Sequence, residues 1–142
     1  MNNIRISFVL IIIFGLMVSS CSSLNGTAVD ELGGSKWNLL HIQKSMPIPD
    51  IIITIEFEDS EVTGTSGCNT YFGEYMIKGN EISFGQLAAT EMACLDPEGI
   101  MDQEQGYLTF LSEVVAFSIE GDRLILKKTH QGQLTFERAI NH

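Results

Sequence analysis

The sequence predicts a mainly β protein: an antiparallel, barrel-like curled sheet of about seven or eight short strands, with one α-helix. Three observations carry this expectation. Short runs with a two-residue apolar period recur from Trp37 onward, and the clearest sets Ile51, Ile53, Ile55 and Phe57 on one face with Thr54 and Glu56 on the other. The breaks between runs are short, such as Glu58-Asp59-Ser60, Gly79-Asn80 and Gly121-Asp122, and connections of that length join antiparallel neighbours. Only one stretch, from Ile100 to Val115, repeats apolar residues at helical spacing. A sheet that curls on itself under a helix hides its edges, which a flat sheet of this size leaves open.

Taken in order, Lys36–Ile42 is a strand broken by Met46-Pro47-Ile48-Pro49-Asp50, and Ile51–Phe57 is the next. Glu61–Gly64 is short. Tyr71–Ile77 and Glu81–Phe84 form a hairpin around Gly79-Asn80. Within it, Tyr71 and Tyr75 share a face and Phe72 points the other way. Asp96-Pro97 reads as an N-cap followed by proline in the first helical turn. Ile100, Tyr107, Leu108, Leu111 and Val114 or Val115 make the helix's apolar stripe, interrupted by Glu104, and Gly99 and Gly106 weaken it so that tertiary packing must hold it. Ala116–Ile119, Arg123–Lys127 and Leu134–Glu137 close the sheet.

The N-terminus reads as an export signal. One basic residue, Arg5, precedes an apolar run from Phe8 to Val18 that contains only Gly15 as a break. The run falls short of the roughly 20 apolar residues of a spanning helix. Leu16-Met17-Val18-Ser19-Ser20-Cys21 resembles the lipobox of bacterial lipoproteins, in which the cysteine sulfur takes a diacylglyceryl group after which the leader is cut. The expected division is a signal peptide at 1–20, a Gly- and Ser-rich tether at 21–35, and a domain at 36–142, with lipid attachment at Cys21. Ser22 in the next position resembles the outer-membrane pattern, with the domain facing the periplasm.

The mature segment holds 7 basic and 18 acidic side chains. That balance argues against nucleic acid, which needs clustered Lys and Arg, and leaves lipid as the membrane attachment. With Cys21 acylated, Cys68 and Cys94 remain as a pair. A disulfide between them closes a 27-residue loop, counted inclusively, in an oxidising compartment, and two buried thiols are the alternative.

No reaction is legible. Gly67-Cys68-Asn69 invites a nucleophile reading, but neither His41 nor His130 is linked to it by motif. Structural zinc usually draws on closely spaced cysteine pairs, and 25 residues separate these two. The acids around Glu58 and around Asp102 lack the alternating order of a calcium loop. Glu104 stands apart, because it lies in an apolar stripe and suits a bond to a backbone amide or to the Asn69 turn. The expectation is therefore no catalytic residues, no metal and no cofactor.

Several blocks resemble the META domain family, the group of HslJ-like heat-shock proteins. They are Trp37-Asn38-Leu39; Gly64 to Tyr75, with Gly67, Cys68, Asn69 and Gly73; Leu87 to Cys94, with Thr90, Met92 and Cys94; and the helix with Glu104. Together they cover nearly all of residues 36–138. The resemblance implies a barrel-like sheet with one helix and no agreed catalytic set. It implies a membrane-anchored binding or interaction module linked to envelope stress or drug resistance, with a hydrophobic ligand or an envelope protein as partner. A structural envelope-integrity lipoprotein without a ligand and a hydrolase are the other readings.

Overall fold

The computed structural model describes residues 31–140. The expected signal segment, lipobox and Cys21 lie outside them. Among the described residues these elements follow one another: β1 (Ser35–Ile42), β2 (Thr54–Glu58), β3 (Glu61–Thr65), β4 (Thr70–Lys78), β5 (Glu81–Phe84), β6 (Ala88–Ala89), α1 (Ile100–Ser112), β7 (Val114–Glu120), β8 (Arg123–Lys128) and β9 (Gln133–Arg138). The sheet runs β3-β2-β1-β9-β8-β7-β5-β4, and β3 pairs again with β4, so eight strands close into an antiparallel barrel. The two-residue β6 lies outside the ring, on the part of β4 that β5 does not cover, with Ala89 opposite Tyr71 and Ala88 opposite Phe72.

The two-residue period does what it predicts. Trp37, Ile55, Phe57, Tyr71, Leu124, Leu126, Leu134 and Phe136 are fully buried inside the barrel, each on the inward face of its strand. Phe57 meets the Tyr75 ring edge-on at 5.0 Å and Phe84 at 6.3 Å. Trp37 donates from Nε1 to Ser35 Oγ at 2.7 Å, and the Arg138 guanidinium lies 4.2 Å from its ring centroid. Closure is uneven around the ring. β7 and β8 share six register pairs, whereas β5 and β7 share one, Glu81 with Ala116, beside a bond from Phe117 N to Asn80 O.

Two expectations are corrected. Asp96-Pro97 is not the helix cap: that peptide is cis, α1 starts at Ile100, and its cap is Gly99 at φ 85°, with no side-chain bond to the first turn. Only glycine enters that left-handed conformation without steric cost. The folded domain also begins before the expected residue 36, because Leu32 is fully buried and Ser35 already opens β1. The helix buries Ile100, Glu104, Tyr107, Phe110 and Leu111, a stripe at helical spacing that lays α1 over the barrel.

Candidate functional site

The Cys–Asn turn joins β3 to β4 where α1 crosses the barrel. Gly67, at φ 119°, lets residues 65–70 turn tightly, and Ser66 N donates to Asn69 O at 2.8 Å across the turn. Glu104 reaches it from the helix. Its Oε2 accepts from Ser66 Oγ and from Asn69 N, both at 2.7 Å, and its Oε1 accepts from Asn69 Nδ2 at 2.7 Å. The carboxylate is only 5% exposed, yet three short bonds surround it. Burial pushes its pKa up, but the bonds from Ser66, from the Asn69 side chain and from the Asn69 and Cys68 backbone outweigh that and hold it below the ordinary value of 4.5.

Asn69 links this carboxylate to the segment after β6. Its amide nitrogen gives one proton to Glu104 and the other to Met92 O at 3.1 Å. Its Oδ1 accepts from Thr90 Oγ1 and from Met92 N, each at 2.8 Å. Two donors and two acceptors are all that an asparagine side chain has, so this one is saturated. No other residue of this size offers the set: aspartate lacks the donors and leucine lacks everything. The disulfide between Cys68 and Cys94, with Cα atoms 5.9 Å apart, fastens the same segment covalently. Residues 88–96 thus form a strap over the β3–β4 connection, held by β6, by Asn69 and by the disulfide.

Under the strap lies a phenol pair. Tyr71 donates to Thr54 O at 2.9 Å and its oxygen stands 2.8 Å from that of Tyr107, which must then be the donor in that contact. Burial raises the pKa of both. For Tyr71 the neighbouring Tyr107 raises it further, whereas for Tyr107 the bond to Tyr71 opposes the rise, and both stay protonated. Gly64 makes the approach of these strands possible. A Cβ there would run into Thr54 O and lie 2.8 Å from the Tyr71 hydroxyl.

The structure therefore brings Gly67, Cys68, Asn69, Thr90, Met92, Cys94 and Glu104 together. Trp37 belongs to the barrel interior, and Gly73 sits where Leu87 packs closely against β4. Met92 takes part through its backbone, while its side chain is exposed. Both sulfurs of the Gly67-Cys68-Asn69 and Cys94 blocks are bonded to each other, which removes Cys68 as a thiolate and both as zinc ligands in this state. Sequence reasoning missed Ser66 and Gln103. Ser66 completes the Glu104 cage, and Gln103 Oε1 accepts from Ile48 N at 2.7 Å to hold the β1–β2 connection on the helix. Neither had a signal beyond its place beside a motif residue.

A closed eight-stranded antiparallel barrel with a helix latched to one turn by a buried carboxylate, an asparagine and a disulfide defines the class of protein. The META domain family model matches residues 30–141, and the chain belongs to that family. Its fold is similar to that of a protein from Burkholderia xenovorans solved by NMR, at 28% identity and a TM-score of 0.66, over 80% of this chain and 88% of that one. A second NMR structure is similar at 21% identity and a TM-score of 0.62, over 76% and 92%. A DUF4847 family protein from Bacteroides vulgatus, a crystal structure, is similar at 14% identity and a TM-score of 0.60, over 80% and 99%. The last two show the fold alone. No curated protein matches the chain.

Proposed function

We propose that this is a lipoprotein anchored through Cys21, in an outer membrane and facing the periplasm, whose META domain acts as a non-enzymatic interaction module linked to envelope stress or drug resistance. The observation that carries the interaction role is how the polar groups of the motif are used. Glu104 and Asn69 are bonded on every side to the fold itself, and side chains fill the barrel, so the outer surface is what a partner can meet. That surface exposes apolar side chains at several places, and two of them meet along one seam. Met76 is 74% exposed and Val115 43%, and with Ile77, Ile82 and Ala116 they line a groove of about 820 Å³ along the thin β5–β7 seam. Exposed apolar side chains grouped in one place are a common mark of a binding surface. With the interior filled, the hydrophobic-ligand version of this reading rests on this groove.

Photo-crosslinking in cells from position 76, with the same probe at the exposed but polar Gln105 as control, tests the interaction role. One discrete adduct specific to position 76 is the expected result, and equal, diffuse adducts from both positions overturn it. Mass spectrometry of the extracted chain tests the anchor, which requires an acylated Cys21 as the first residue. An unprocessed Met1 overturns it.

A further inference from the structure

The chain has 18 acidic and 8 basic side chains, yet one cleft is lined by three lysines and no acid. It opens where the turn after β1 faces the turn between β8 and β9, and it measures about 1040 Å³. Lys44 comes from the first turn, and Lys127 and Lys128 from the end of β8. Lys128 is fixed in place, with its Nζ 2.8 Å from Glu113 Oε2 and 4.9 Å from the Phe110 ring centroid. Lys44 and Lys127 form no ion pair among the described residues. Cations gathered on one concave wall repel one another unless an anion lies between them, and a concave site concentrates their field.

Gln103 of α1 also lines the cleft. Its Oε1 accepts from Ile48 N, which sets the orientation of the amide, and its Nε2 is buried without an acceptor. That Nε2 is closed off from the cleft, so the donors open to a ligand are the lysines. Ile42 and Met46 supply an apolar wall beside these donors.

We infer that this cleft binds a small soluble oxyanion, a phosphate or polycarboxylate, through Lys44 and Lys127, with any carbon part of the ligand against Ile42 and Met46. The choice of a soluble ligand over a lipid headgroup rests on the proposed anchoring. The chain enters the barrel at the start of β1, beside the acidic turns Glu58–Glu61 and Glu120–Asp122, and the lysine cleft lies at the opposite end of β1 and β8. An anchor before residue 31 therefore attaches to the end of the barrel opposite the cleft.

The test uses the full chain extracted in detergent, with lysine labelled at its ε-carbon for NMR. It is titrated with sodium pyrophosphate against sodium chloride at equal ionic strength. The expected result is saturable shifts of Lys44, Lys127 and Lys128 with pyrophosphate alone, and affinity, read in both chains from Lys128, about tenfold weaker in a Lys44→Gln/Lys127→Gln variant that melts at the same temperature. Shifts no larger than those in chloride, or equal affinity in the variant, overturn the site. Phosphatidylglycerol vesicles form the second arm, and lysine-dependent binding to them overturns the soluble-ligand assignment. Failure of the anchor is read separately, as the absence of an acyl mass on Cys21.

Discussion

Glu104 is a charged residue in the middle of an apolar helical stripe, and its neighbours explain why it is tolerated there. Three donors compensate its lost hydration. Glu104→Gln keeps the shape but turns one acceptor into a donor facing donors, so equilibrium urea unfolding is expected to show a loss of about 1–3 kcal/mol. The depressed pKa gives the loss a pH signature. The carboxylate's contribution is full above the ordinary value of 4.5 and disappears as pH falls through its lower folded value. Stability measured from pH 6 downward should therefore fall more steeply in the native chain than in Glu104→Gln, and parallel curves contradict this account. The tyrosines allow a finer comparison. Tyr71→Phe leaves both Thr54 O and the Tyr107 hydroxyl without a partner, whereas Tyr107→Phe leaves only a lone pair on Tyr71 unused. Calorimetry should rank Tyr71→Phe as the more harmful, by about 1 kcal/mol.

Between elements, the strap and the strand crossing decide the outcome. The strap over residues 88–96 has few buried apolar side chains, so bonds to Asn69 and the disulfide do the work that packing does elsewhere. Asn69→Ala should speed hydrogen exchange at the Met92 amide while leaving β8 and β9 protected. Replacing both cysteines by serine should cost about 3–4 kcal/mol on the chain-entropy account of a 26-residue separation. The crossing of β2, β3 and β4 at Gly64 is less forgiving, because the obstacle is backbone. Gly64→Ala is expected to lower soluble yield or the melting temperature sharply, and a variant with native stability would show that these strands are not as close as described.

For the whole molecule, the barrel is strongest through β1, β9, β8 and β7 and weakest where β5 meets β7. Native-state hydrogen exchange should report that asymmetry, with amides flanking the β5–β7 seam opening before those of β8. The exposed apolar groove lies along the same seam and the lysine cleft at the end away from the chain's entry, so two separate surfaces are on offer.

The sequence by itself determined most of the strands, because a period of two and two-residue turns are local properties of the chain, but the expected strand from Ile51 begins only at Thr54 and β6 carries no such signal. It also marked the oddness of Glu104 and left Cys68 and Cys94 as either a disulfide or two thiols, and the structure has the disulfide. The Asp96-Pro97 cap was misread because the same two residues suit a turn before a helix as well as its first residues, and nothing local separates the two. The expected bond from Glu104 to the Asn69 turn is present, but only the tertiary structure decided that the sheet closes through β3 and β4, that Ser66 shares the carboxylate, and that Lys44 and Lys127 line one cleft. Those contacts join residues far apart in the chain, and their existence depends on the twist and stagger of a closed barrel, which no short stretch of sequence carries.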